Sequence, residues 1–184
     1  MGKRIAFFIC VLVSTLAFGG NPAQERLDIT TTNGVLTATL HTEAGGVVTF
    51  EYEKDGCYFS PDHPDPCFTF AAINGTEAIP ISGCVSNNDA KFPSGNVGCP
   101  TKGLKGVQIV LASGGNLVLY GGNGDHKDCS PVPVTIDAQG DAFHVGVWNK
   151  CTETVTCRGG GIGQVDADKS DTVNNCQPGF VTRH

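Results

Sequence analysis

Helix has almost no place in this sequence. Twenty-five glycines and ten prolines punctuate 184 residues, and both are poor in helix interiors. Charge is thin and tilted to one sign, with 12 basic against 18 acidic residues. An acidic balance repels phosphate backbones, so nucleic acid is excluded as a partner. The chain has no Cys-x-x-Cys pair, and its histidines (His41, His63, His126, His144, His184) are scattered, which removes the usual zinc spacings. Also missing are a G-x-S-x-G elbow, an H-E-x-x-H helix and a phosphate-cradling loop. Without a nucleophile, base and orienting group that converge, the expectation is a protein that is not an enzyme.

One apolar run stands out, from Ile5 to Phe18. It falls short of the roughly 20 residues a bilayer-spanning helix needs. Lys3 and Arg4 precede it and Gly19-Gly20 follow, the charged, apolar and small-residue order of a secretory signal peptide. The expectation is a signal over residues 1–20, with cleavage as late as Ala23, and no membrane span in the mature chain. Residues 24–184 then form a single β-rich domain, secreted or held at the cell surface, with an extracellular or cell-surface polymer as the expected class of partner. Losing Lys3 and Arg4 leaves ten basic against 18 acidic residues, a net charge of −8.

Cys10 leaves with the signal, and eight cysteines remain: Cys57, Cys67, Cys84, Cys99, Cys129, Cys151, Cys157 and Cys176. An even number in an exported chain implies disulfides, although eight cysteines admit 105 connectivities. The simplest scheme pairs sequence neighbours: Cys57 with Cys67, Cys84 with Cys99, Cys129 with Cys151, and Cys157 with Cys176.

In place of helical periodicity there are short alternating stretches: Leu36–Leu40, Val47–Tyr52, Val107–Leu111, Leu117–Tyr120, Val132–Ile136, Phe143–Trp148, Thr152–Cys157 and Gln164–Ala167. Alternation over four to six positions is the strand signal, and an all-β domain follows. Residues 57–101 behave differently, with several prolines, four cysteines and little periodicity; they are expected to form a stapled loop insertion. That insertion carries the formal glycosylation acceptor Asn74-Gly75-Thr76 and the turn Pro61–Pro66, where Asp62, His63 and Asp65 offer metal-ligating groups.

The C-terminal third repeats. Glu153-Thr154-Val155 and Asp171-Thr172-Val173 match in chemistry at an offset of eighteen residues, and valines fall at 145, 155, 165 and 173. Nine to ten residues per strand and turn is the step of a coil that stacks apolar side chains inward on successive turns. Cys157-Arg158-Gly159-Gly160-Gly161 and the stretch Val165 to Cys176 resemble the terminal coils of exported bacterial proteins related to the hemolysin-type calcium-binding (RTX-like) repeat. The resemblance covers roughly Asn116 to Cys176. It implies a right-handed parallel β-roll or β-solenoid, with Cys157 and Cys176 joining adjacent coils.

The resemblance also implies calcium, the one cofactor expected, held by the carboxylates Asp125, Asp128, Asp137, Asp141, Asp166, Asp168 and Asp171. The family's GGxGxDxUx pattern is degenerate here. Gly121-Gly122-Asn123-Gly124 is followed by His126 where aspartate belongs, with Asp125 one place early, and Gly160-Gly161-Ile162-Gly163 is followed by Val165. A ligand displaced by one residue on a strand points to the opposite face. Binding should therefore be weak, about 10⁻⁴–10⁻³ M.

A ligand-binding pair is suggested by alternation in Phe143–Trp148, which puts Phe143, Val145 and Val147 on one face and His144, Gly146 and Trp148 on the other. Residue type argues otherwise for Trp148, the single tryptophan, since large aromatics are mostly buried. Two readings follow. The first is a non-enzymatic structural or interaction domain of β-solenoid type with weak calcium binding at its glycine turns. The alternative is a carbohydrate-binding or other surface-recognition module on an antiparallel β-sandwich, in which Val35–Leu40 and Val47–Tyr52 would be a hairpin.

Overall fold

The computed structural model describes residues 26–41, 47–56, 65–73, 77–79, 83–87, 96–112, 115–119, 128–140, 142–158 and 162–184. The expected signal peptide, the Cys57–Cys67 pairing, Asn74 and most of the Pro61–Pro66 turn lie outside them. Among the described residues no helix is long and apolar enough to cross a membrane.

The protein is all-β. Its strands are β1 (Arg26–Thr32), β2 (Val35–His41), β3 (Val47–Glu53), β4 (Cys67–Ile73), β5 (Glu77–Ile79), β6 (Val85–Asn87), β7 (Asn96–Pro100), β8 (Gly106–Leu111), β9 (Gly115–Leu119), β10 (Val134–Ala138), β11 (Ala142–Val147), β12 (Glu153–Cys157), β13 (Ile162–Ala167), β14 (Thr172–Asn174) and β15 (Val181–Arg183), with one 3₁₀ turn at Pro178–Phe180. They form two mixed sheets. A seven-stranded sheet runs β14-β12-β10-β8-β2-β1-β5, and an eight-stranded sheet runs β15-β13-β11-β9-β3-β4-β7-β6.

The first strands pair antiparallel. β1 and β2 form a hairpin across Asn33-Gly34, both at positive φ (54° and 83°), the two-residue turn whose twist matches that of strands. β2 and β3 belong to different sheets, so the expected hairpin between them is not formed; β2 closes instead on β1. The stretch 57–101 is likewise more regular than expected. β4 pairs antiparallel with β3 and β7, and its Phe68 stacks on Phe50 while its Phe70 packs tilted against the same ring. Their alternation was present in the sequence but stood among prolines and cysteines.

From β8 onward consecutive strands cross between the two sheets, and each pairs in parallel with the strand two places later. Parallel register stacks like on like. Ala38, Ile109, Ile136, Val155 and Val173 form one inward column; Val48, Leu117, Val145, Val165 and Val181 form its counterpart in the other sheet. These residues are buried between the sheets or packed against that core. The repeated triplets do meet: Thr154 lies beside Thr172 and Val155 beside Val173. The step itself varies, since Val107 aligns with residue 134, Val134 with residue 153 and Thr154 with residue 172. β10 begins two residues later than expected because Ser130 Oγ bonds both the N–H and the carbonyl of Val132, holding the Pro131–Pro133 segment in a bend.

Disulfides join Cys84 to Cys99, Cys129 to Cys151 and Cys157 to Cys176, the neighbour scheme expected. Cys67 is also disulfide-bonded. Cys129–Cys151 ties the approaches to β10 and β12, and Cys157–Cys176 ties the ends of β12 and β14. Gly163 is a packing requirement: a Cβ there would lie 2.0 Å from Phe143 Cζ, because the buried Phe143 ring occupies the space beside its partner in the ladder.

Candidate functional site

The outer face of the eight-stranded sheet is assembled by alternation. Val145 and Val147 on β11 and Val165 on β13 are fully buried, which turns His144, Trp148, Gln164 and Asp166 outward. Trp148 is 61 % exposed. The expectation of a core tryptophan is thus overturned, since alternation outweighed residue type. The indole is nevertheless held in place. A Cβ at Gly146 would meet its Cδ1 and Nε1 at 3.9 Å, so the pyrrole edge lies against the glycine, and the His184 ring packs against it with centroids 5.0 Å apart.

Beside the indole, the parallel register sets His144 against Gln164 and Asp166 against Gly146 and Thr182. His144 Nε2 lies 2.7 Å from Asp166 Oδ2; a carboxylate can only accept, so this nitrogen carries the proton. Gln164 Nε2 donates to both Asp166 oxygens at 3.3 Å. Partial burial opposes the Asp166 charge, but hydrogen bonds from His144, Gln164 and Thr182 and the charge of His144 outweigh it and hold this carboxyl below its ordinary range. The pair expected from sequence, His144 and Trp148, therefore shares one face, with Asp166, Gln164, Thr182 and His184 added by the fold.

The carboxylates expected to hold calcium do not gather. Asp137 lies under the seven-stranded sheet's outer surface, 2.8 Å from Arg158 Nε and hydrogen bonded by Gln139. Asp128 is exposed near Lys54, and Asp166 belongs to the face above. Asp125 and Asp141 lie outside the described residues. Asp168 and Asp171 share the β13–β14 turn, where main-chain N–H groups occupy them: Lys150 N donates to Asp168 at 2.5 Å, while Glu153 N and Asp168 N donate to the two oxygens of Asp171 at 2.9 and 2.7 Å. Arg183 then donates to the carbonyls of Asp168 and Asp171. Among the described residues no group of three or more His, Cys, Asp or Glu side chains is placed to hold a metal ion.

Sequence reasoning missed a buried acid. Glu153, 4 % exposed, takes the inward position that Val107 and Val134 fill on the preceding strands. Asn149 Nδ2 donates to its Oε1, and no donor reaches its Oε2. Burial, with the hydrogen bond and charge of Asp171 adding to it against the opposing Asn149 bond, pushes its carboxyl up to about 8. A protonated Glu153 supplies the donor that its pairing with Asp171 requires. The repeat did mark both residues, but not which way they pointed.

No protein-family model matches the chain, no curated protein matches it, and no solved structure matches its fold.

Proposed function

We propose that the chain is an exported, non-enzymatic interaction domain built on a short parallel β-solenoid, with the outer face of the eight-stranded sheet as its working surface. The solenoid reading is supported by the alternation of β8 to β15 between sheets and by the stacking of matched triplets. Export is supported by the N-terminal plan of the sequence and by a framework of disulfides, which persist in oxidising compartments. The observation that carries the function is Trp148, a large aromatic held outside the core. A rigid exposed aromatic is the kind of anchor that dominates binding energy.

Depletion from solution tests this. The disulfide-oxidised protein is mixed with insoluble bacterial, fungal and plant cell walls and with collagen. At least one of these should remove the wild-type chain, Trp148→Ala should stay in solution, and no soluble product should accumulate. Failure of every material, equal depletion of the variant, or turnover of the polymer would overturn the proposal.

A further inference from the structure

We infer that the ligand of this face is a neutral, hydroxyl-rich polysaccharide whose sugar rings lie flat on Trp148 and hydrogen bond to Asp166 and His144. The inference rests on the interaction-domain reading and names the chemistry of its partner.

The surroundings of the indole argue first against a protein partner. Among the described residues the exposed large hydrophobics are Trp148 and Phe180, and Phe180 sits in the 3₁₀ turn before β15 rather than on the sheet. Protein interfaces centre on a desolvated apolar cluster enclosed by a rim. Here a single ring is flanked by groups that hydrogen bond. Such a surface suits a partner that offers an apolar C–H face and polar edges together, as a pyranose ring does.

Charge narrows the class. Asp166 is held ionised, and the whole chain is acidic at −6, so uronic, sulfated and phosphorylated polymers are repelled. Hydroxyl groups are instead attracted. A carboxylate offers about four acceptor positions, and His144, Thr182 and the two 3.3 Å bonds of Gln164 occupy them in the free chain. A sugar hydroxyl replaces one of the long Gln164 bonds at an oxygen already oriented by its other donors, which lowers the ordering cost of binding.

The backbone supplies the spacing. Gln164 sits beside His144, and Thr182 beside Asp166, on neighbouring strands about 4.8 Å apart. That separation is close to the length of one sugar ring, so successive units of an extended chain meet successive strands. The sheet also stays low beside the indole, because Gly146 contributes no side chain.

Affinity electrophoresis through gels holding a soluble neutral glycan (mixed-linkage β-glucan, xylan or galactomannan), an anionic one (polygalacturonate) or gelatin separates the alternatives. The wild-type chain should be retarded by at least one neutral glycan. Trp148→Ala should weaken that retardation about 10-fold or more, and Asp166→Asn and His144→Gln severalfold, with thermal unfolding unchanged in all three. Retardation by polygalacturonate or gelatin alone, by none of the gels, or equally for Trp148→Ala would overturn the assignment. If cell-wall depletion still required Trp148 while no neutral glycan retarded the chain, the sugar class would fall and the interaction reading would stand.

Discussion

Strands β1–β7, which pair antiparallel with one another except for β1 with β5, and the parallel ladder β8–β15 share both sheets yet are held by different means. In the first region the register comes from a tight turn and from large rings. Asn33-Gly34 fixes β1 against β2, and Phe50, Phe68, Phe70 and Tyr52 cluster between the sheets. In the ladder the register comes from repetition. Each inward residue rests on a similar one in the next strand, two disulfides join neighbouring turns, and the final positions of one column are acids rather than aliphatics. A few bulky contacts thus stabilise the first region, whereas many small ones, each dependent on its neighbour, stabilise the second.

Removing a ring should have the largest effect. Phe70→Ala empties a fully buried site and should cost about 4 kcal/mol, read by denaturant unfolding as one transition because both sheets continue into the ladder. The Cys157→Ala/Cys176→Ala double variant should cost about 3 kcal/mol, and hydrogen exchange should show protection lost at β14 and β15 before β2 and β3. Equal loss in both regions would erase the distinction drawn between them. Gly163→Ala should cost about 2.5 kcal/mol through the clash with Phe143, and a second change, Phe143→Leu, should recover part of it.

Acidity should also act on the ladder alone. An unfolded Glu153 ionises near 4.5 and the folded one near 8, so between those values the folded chain binds more protons. Stability is then fully present below pH 4.5 and falls as pH rises towards 8. Asp166 contributes with the opposite sign and only in acid, outside this window. Glu153→Gln should flatten the profile measured by urea unfolding, and an unchanged slope would contradict the protonated carboxyl. The smallest effect belongs to the hairpin: Gly34→Ala, at φ 83°, should cost about 1 kcal/mol.

Much of this was legible in the sequence. Alternation located eight strands, and the eighteen-residue repeat aligned β12 with β14. Other elements were obscured by competing signals. β1 buries only Leu27 and Ile29 in a run otherwise rich in threonine and charge, and its one strong marker was Asn33-Gly34. In β4 and β7 the alternation of Phe68 with Phe70 and of Val97 with Cys99 was overshadowed by the prolines around it. On the outer face of the eight-stranded sheet alternation placed Trp148 beside His144, but nothing local to either residue announced Asp166 or His184, which reach them only through the parallel pairing of β11 with β13 and of β13 with β15. Glu153 was visible as half of a repeat; its burial depended on the strand preceding it having used Val134 at the same inward position.

The central claim is that the single tryptophan stands outside the core on a surface that binds. Acrylamide quenching of its fluorescence tests this directly in the folded, oxidised chain. The account predicts a red-shifted native emission, quenching nearly as efficient as in the unfolded protein, and protection on adding the neutral glycan that retards the chain. A blue-shifted, quencher-resistant native emission would place Trp148 in the core and contradict the account.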